Sequence, residues 1–406
     1  MTDSMGDSLR SFGWSSAMKA AGVVTGMLSI PQPLLLVGPG SSRRLGEALC
    51  GFGHRRLLVV TDAVVAQLGL HRPLVGALDA GGVETVLFDE ISADAPVPEI
   101  ERGIERYRGE RCDAVVAVGG GSPMDAAKTI ASAVANRKHP RKLAGYFRGL
   151  RAPEPIYAVP TTAGTGSEVT VAAVVSDVDE GKKFFIADTR LVPQMAALDP
   201  NLMTGLPRPV TAATGMDALT HATEAFLSKW ANDRTDRLAL AAVAMIFGNL
   251  RTVCRDGGDL DARERMSLAA TYGGLAFTRA NVGHVHAIAH QLGGRYHVPH
   301  GLANAILLPR VLRFLSPAVT DRLAQLAVQA GAGEKGEPAA RLAQKFIDSV
   351  EALNQDIGIP EKVDALREED IPALAKAACW EADSNYPVPR FMSRRVCEGI
   401  LREVLA

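Results

Sequence analysis

Short apolar runs recur along the first half of the chain and then stop. LLLV at 34–37, RLLVVTD at 56–62, VETVLFD at 83–89, DAVVAVGGG at 113–121 and PIYAVP at 155–160 are each followed by a stretch with helical spacing. Continuous β-branched runs of that length suit strands buried on both faces, so their alternation with helices predicts a doubly wound α/β domain with a parallel sheet. After DPNLMTGLPRP the β signal disappears, and from Val210 to Ala406 the periodicity is helical, broken at Gly-Pro signals such as GIPEK, 358–362. The chain is therefore expected to divide into an N-terminal extension, 1–32, an α/β domain, 33–205, and an all-helical domain, 206–406. The apolar stretch from Ala20 to Ile30 is shorter than a membrane span and follows a polar segment with aspartates, which reads as an extension and not a leader.

Two strand ends pass into helix through glycine. The turn after LLLV, GPGSSRRLGEAL, and the turn after VVAVGGG, SPMDAAK, both place backbone amides at a helix N-terminus, where unsatisfied N–H groups and the helix dipole favour an anion. In GGGSPMDAAK, residues 119–128, Gly119, Gly120 and Gly121 let a phosphate approach the backbone, and Ser122 adds a hydroxyl. Asp125 has two readings: it completes an S-x-x-D capping box with Ser122, or it faces the nucleotide. The stretch is neither GxGxxG nor a Walker loop. A second polar glycine turn, PTTAGTGSEVT at 160–170, offers the hydroxyls of Thr161, Thr162 and Thr165 to a phosphate or an amide, or is an ordinary capped turn. Asp62, just past VVT, is either a helix cap or the acceptor for adenosine ribose hydroxyls, a role in which its charge would repel a 2′-phosphate.

Composition narrows the chemistry. Lys and Arg total 44 against 45 Asp and Glu, a net charge of −1, so the charge balance favours neither nucleic acid nor an anionic membrane as partner. A small-molecule substrate is the default. The five cysteines, Cys50, Cys112, Cys254, Cys379 and Cys397, are scattered and never in CxxC spacing. That suggests neither a disulfide framework nor a thiolate metal site, and fits a reducing cytoplasm.

The stretch GHVHAIAHQLGGRYHVPHGLANAILLP, 283–309, holds five of the nine histidines. His286 and His290 lie four apart among helix formers, which puts both imidazoles on one face, and His300 follows a Gly-Gly break and a proline. Upstream, GMDALTHATEAF repeats the spacing with Asp217 and His221. Two such pairs from two helices can close one coordination sphere of nitrogen and oxygen donors, suited to Fe²⁺, Zn²⁺, Mn²⁺ or Ni²⁺. His284 and His297 fall outside the pairing.

In order and separation, GGGSPMDAAK, PTTAGTGSEVT, GMDALTHATEAF and HAIAHQLGGRYHVPHGLANAILLP closely resemble the motifs of the iron-dependent (group III) alcohol dehydrogenases, and the match runs from about Pro33 to the C-terminus. The resemblance implies a dinucleotide-binding α/β domain followed by a helical domain, a dehydroquinate synthase-like architecture, with a divalent metal in the cleft between them. By position it implies Asp217, His221, His286 and His300 as ligands of that ion, Fe²⁺ first among the candidates, and leaves His290 as the catalytic group near the substrate. Lys183, in GKKFFIAD, matches a residue that reaches the cofactor, and Phe277 matches a pocket-lining position. Asp62 stands where the family separates NAD from NADP users, which implies NAD(H). The activity implied is hydride transfer between NAD(H) and a small alcohol or aldehyde, or a hydroxyacid and its oxoacid, in a homodimer or larger homo-oligomer. A transhydrogenase that keeps its NAD(H) bound is the alternative inside the family. A dehydroquinate-synthase-like lyase is the alternative outside it, although the helical half shows no Lys/Arg cluster interleaved with the ligands. The segment SNYPVPRF, 384–391, departs from the family's Asn-Pro-Arg, so the substrate does not transfer by analogy.

Overall fold

The computed structural model describes residues 29–406; most of the expected N-terminal extension therefore lies outside the described residues. They form two compact units, one of Ser29–Leu206 together with Gly257–Thr271, the other of Pro207–Asp256 together with Tyr272–Ala406. From Arg208 onward the described residues hold helices and no named strand, as the periodicity leads one to expect, while residues 257–271 group with the first unit.

The α/β unit is built on a six-stranded sheet in the order β1-β9-β6-β4-β2-β3, parallel throughout. Five of its strands coincide with the apolar runs: β1 (Leu34–Val37), β2 (Arg56–Val60), β3 (Glu84–Phe88), β4 (Ala114–Gly119) and β6 (Ile156–Pro160). The sixth, β9 (Met195–Leu198), carries no β-branched residue and gave no strand signal. Helices α1 (Ser41–Cys50), α2 (Ala63–Gln67), α3 (Arg72–Ala80), α4 (Val97–Gly109) and α5 (Gly121–Asn136) follow the early strands. Alternate side chains of each strand feed opposite layers, as period-2 geometry demands. Leu57, Val59, Val116 and Val118 pack with Leu45 and Leu49 of α1 and Leu74 and Leu78 of α3. Leu58, Val60, Val115 and Ala117 pack with Ile100 and Ile104 of α4 and Ala127 and Ile130 of α5. Each of these buried aliphatic side chains larger than alanine contributes about 1.5–3 kcal/mol relative to exposure.

A second, three-stranded sheet was not anticipated. It joins β5 (Gly145–Tyr146) to β8 (Lys182–Ala187) and β7 (Ala172–Asp177), with β7 and β8 antiparallel. The hairpin turns at Gly181, whose φ of 59° is left-handed.

The helical unit holds α6 (Arg208–Leu227), α7 (Asp233–Arg255), the second half of α8 (Leu260–Ala280), α9 (His284–Tyr296), α10 (His300–Gln329), α11 (Ala339–Ile357), α12 (Ile371–Asn385) and α13 (Arg394–Glu403). A capping box of Asn232 and Thr235 starts α7. Gly293 and Gly294 do not break the chain before His300, as their sequence suggests; both remain in α9, which ends where His297 turns left-handed at φ 56°. Pro309 lies inside α10, where its missing N–H deprives the Ala305 carbonyl of a partner. Asn354 of α11 supplies one at 2.7 Å.

Candidate metal centre and nucleotide loops

Helix α6 presents Asp217, His221 and Glu224 at i, i+4 and i+7, one face of a helix. Helix α9 presents His286 and His290, and α10 begins with His300. Asp217 is the hub. Its Oδ1 lies 3.5 Å from His300 Nε2 and 3.9 Å from His286 Nε2, and its Oδ2 lies 4.0 Å from His221 Nδ1. Asp217, His221, His286 and His300 each offer one ligand atom, all within 4.8 Å of one another. Donors of one bound ion stand roughly 3–4 Å apart, the spacing Asp217 already keeps to the three imidazoles.

The polar accounting also points to an ion. His221 Nδ1 and Asn304 Oδ1 are buried without a hydrogen-bond partner among the described residues, a costly state for a protein interior. Asn304 Nδ2 donates to Asp217 Oδ1 at 2.7 Å and lies 3.2 Å from Nε2 of both His286 and His300. Burial pushes the Asp217 carboxyl up, but the imidazoles of His221, His300 and His286 outweigh it and hold it below the usual range. Burial, reinforced by the neighbouring His221 and His300, drives His286 well below the ordinary imidazole range, into the neutral form a metal requires.

Glu224 orients that imidazole. It faces His286 Nδ1 at 2.6 Å and accepts the backbone N–H groups of Gly283 at 2.8 Å and Val285 at 2.7 Å. Nδ1 then carries the proton and Nε2 turns to the cluster. Burial raises Glu224 to about 7 against those N–H donors. Gly301 is needed for the approach of α10 to α6, because a Cβ there would lie 2.3 Å from the Ala213 carbonyl oxygen and 3.2 Å from Asp217 Cβ. The Phe277 ring stacks on His221 at 4.3 Å. His290 stacks on His300 at 5.3 Å, and its Nδ1 lies 2.6 Å from Glu381 of α12. His284 bonds the Arg390 carbonyl at 2.8 Å and His297 caps α9, both structural roles.

In the α/β unit the chain order reverses at β2, which has β3 on one side and β4 on the other. Ligands of doubly wound sheets bind at the carboxyl ends of the strands flanking such a switch point. Asp62 follows β2 there, and Gly119, Gly120, Gly121 and Ser122 follow β4. Thr161, Thr162 and Thr165 follow β6, with the Thr161 N–H bonded to the Gly119 carbonyl at 3.0 Å. Asp62 caps α2 by accepting the Val65 N–H at 2.9 Å, which leaves its second oxygen for other donors. Arg56 pairs with Glu84 at the opposite end of the strand. Lys183 pairs with Asp94 at 2.7 Å, and the Asp94 N–H donates to Ser122 Oγ at 3.0 Å.

Asp125 departs from its capping-box reading. No capping box forms, α5 starting at Gly121 without a side-chain cap. The carboxylate turns inward instead, accepting Ser167 Oγ at 2.8 Å and the Val174 N–H at 2.9 Å. Beside it Lys128, fully buried, donates to Ser167 O at 2.6 Å, Thr170 Oγ1 at 2.9 Å and Ala172 O at 2.9 Å. Burial pulls this lysine down to about 8, against Asp125 and Glu168. Together they clamp the 160–170 turn onto α5. Lys128 closes the GGGSPMDAAK motif, yet only the three-dimensional contacts reveal its task. Of the other residues the sequence did not single out, Glu224 and Asn304 had a readable signal, i+7 from Asp217 and i+4 from His300; Glu381 had none.

A doubly wound sheet with open glycine turns at its switch point, and a helical unit with one carboxylate and three imidazoles converging, define a metal-dependent oxidoreductase. Residues 33–200 match the family model described as iron-containing alcohol dehydrogenase, and residues 211–405 that of the Fe-containing alcohol dehydrogenase family, C-terminal. The chain belongs to the iron-containing alcohol dehydrogenases, oxidoreductases acting on alcohols and aldehydes. It is 39% identical to a 1,3-propanediol dehydrogenase of Citrobacter freundii over 375 residues, 90% of this chain and 95% of the relative. It is 36% identical to an NAD-dependent methanol dehydrogenase of Bacillus methanolicus, over 85% of this chain and 91% of that one. The crystal structure of a 1,3-propanediol oxidoreductase superimposes with a TM-score of 0.90 at 37% identity, covering 93% of this chain and 100% of that one.

Proposed function

We propose that Asp217, His221, His286 and His300 hold one divalent ion, Fe²⁺ in the native enzyme, that the α/β unit holds NAD(H), and that hydride passes between NAD(H) and a small primary alcohol or diol and its aldehyde. The observation that carries this reading is the gathering of four ligand atoms within 4.8 Å, beside an orphaned buried imidazole nitrogen on His221. When bound, the ion supplies Lewis acidity, lowering the pKa of an alcohol or polarising a carbonyl. The rest falls to the chain. Gly119 to Gly121 offer backbone amides to the pyrophosphate, with Ser122 and the Thr161, Thr162 and Thr165 hydroxyls around it. The clamp of Asp125 and Lys128 sets the shape of that turn. Asp62 accepts the adenosine ribose hydroxyls, and Lys183 reaches the cofactor from β8. His290 moves the substrate proton, and Phe277 shields the ion's histidines while lining the substrate pocket. The names of the relatives, a propanediol and a methanol dehydrogenase, support a short unbranched substrate. A cytoplasmic homodimer or larger homo-oligomer completes the reading.

The test is metal reconstitution followed by NADH absorbance with short alcohols and aldehydes. His286→Ala and His300→Ala are expected to lose both stoichiometric metal and turnover, whereas His290→Ala retains metal and loses rate. Full turnover in either of the first two variants overturns the ligand assignment.

A further inference from the structure

Glu381 lies 91 residues beyond His290 in the chain and meets it in space. One carboxylate oxygen lies 2.6 Å from His290 Nδ1 and accepts the Tyr386 hydroxyl at 2.7 Å; the other accepts Gln291 Nε2 at 2.7 Å. The carboxylate is thus held from two further directions. Its side chain is 18% exposed and that of His290 29%, so the pair is largely covered yet not sealed. A carboxylate that already accepts from Tyr386 and Gln291 serves as acceptor toward Nδ1 as well, which places the imidazole proton there and leaves Nε2 as the nitrogen that exchanges one. The ring is also fixed in plane, stacked at 17° on His300 and edge-on at 67° to His286. Tyr386 comes from the SNYPVPRF segment, which departs from the family's Asn-Pro-Arg, so part of this hold belongs to the chain's own loop.

We infer that Glu381 is a positioning residue for hydride transfer, fixing the tautomer and ring orientation of His290 through Nδ1 while Gln291 and Tyr386 fix Glu381. The inference rests on the proposed role of His290 and does not require Glu381 to touch substrate, cofactor or ion. A carboxylate behind a working imidazole acts on the rate of the step the imidazole performs, and little on substrate binding.

The experiment compares wild type, Glu381→Ala, His290→Ala and the double variant at matched metal content. Glu381→Ala is expected to lower kcat about 10- to 100-fold, with KM for the alcohol and bound metal changing by less than about threefold. In the His290→Ala background the same substitution is expected to have no further effect, because the group it positions is gone. ¹⁵N spectra of histidine-labelled, zinc-loaded protein, with the His290 signals assigned by their loss in His290→Ala, are expected to show the Nδ1–H tautomer in wild type and a mixture in Glu381→Ala. The wild-type spectrum needs no Glu381 variant and decides the tautomer by itself. An Nε2–H tautomer in wild type, an unimpaired Glu381→Ala, or an equal loss in the His290→Ala background overturns the inference. His290→Ala turning over at the wild-type rate would overturn the role of His290, and this inference with it; a crippled His290→Ala beside a normal Glu381→Ala overturns Glu381 alone.

Discussion

Replacing Glu224 by alanine tests whether the metal centre is held from behind. The carboxylate accepts the Gly283 N–H at 2.8 Å and the Val285 N–H at 2.7 Å, and it faces His286 Nδ1 at 2.6 Å. Alanine strands two buried backbone donors, each worth about 1–3 kcal/mol when unsatisfied, so the loss is about 2–6 kcal/mol before water enters the space. In a unit of this size each kcal/mol moves Tm by about 2–4 °C, so the drop is on the order of 4–24 °C. The second effect is on the ion. Without its Nδ1 acceptor His286 populates the tautomer whose Nε2 is protonated and cannot ligate, and metal affinity falls about 10- to 100-fold. Glutamine is no isostere here, because either orientation of its amide sets an N–H against an N–H. Calorimetry in excess chelator isolates the stability term, and competition against a metal indicator gives the affinity. An unchanged Tm with unchanged affinity would refute the reasoning; a fallen Tm with intact affinity would confine Glu224 to holding the backbone.

Asp62→Gly is expected to improve kcat/KM with NADP(H) about tenfold to a hundredfold relative to NAD(H), the worth of removing a like charge at contact distance. It should cost only a few tenths of a kcal/mol of stability, since glycine tolerates an N-cap; a wild-type enzyme equally active with NADPH refutes this role. Asp177 is held down to about 2 by the hydrogen bonds of Arg141, against burial and with help from the Glu180 N–H. A depressed carboxyl contributes stability that is present above its unfolded value near 4 and is lost as pH falls through its folded one. The Tm deficit of Asp177→Asn is therefore expected to shrink between about pH 4 and pH 2; a constant deficit in chelator-treated protein would refute it.

How much was legible follows from range. Runs such as RLLVV and AVVAV disclosed the central strands because burial on both faces admits few other residues. Met195–Leu198 was invisible because its place beside β1 and β6 is decided by tertiary pairing, not by its own propensity. The pairs Asp217 with His221 and His286 with His290 were readable because helical spacing puts each pair on one face, while the choice of His300 over His290 for the cluster rested on the resemblance. The capping box at Asp125 does not form, because a residue four positions into a helix satisfies that pattern whether it turns back to the N-terminus or inward to Ser167. Gly293 and Gly294 were misread because a glycine weakens a helix by about 1 kcal/mol without ending it. Glu381 was out of reach, since nothing near His290 in the chain announces a partner on α12.

The buried Glu168 of the 160–170 turn is 2% exposed and accepts the Thr271 hydroxyl at 2.7 Å. Thr271 lies beyond the whole of α6 and α7, in the segment where the chain comes back to the α/β unit. During synthesis that unit therefore cannot be finished when residue 206 leaves the ribosome; it must wait about 65 residues, while the first two helices of its neighbour emerge ahead of its last piece. No single cut of the gene separates the two halves either. A fragment ending at 206 would leave the Glu168 carboxylate without the Thr271 hydroxyl, and one starting at 207 would carry residues 257–271 of the other unit in its middle. A clean exchange of one half between relatives would therefore need crossover points on either side of 257–271, and not a single one.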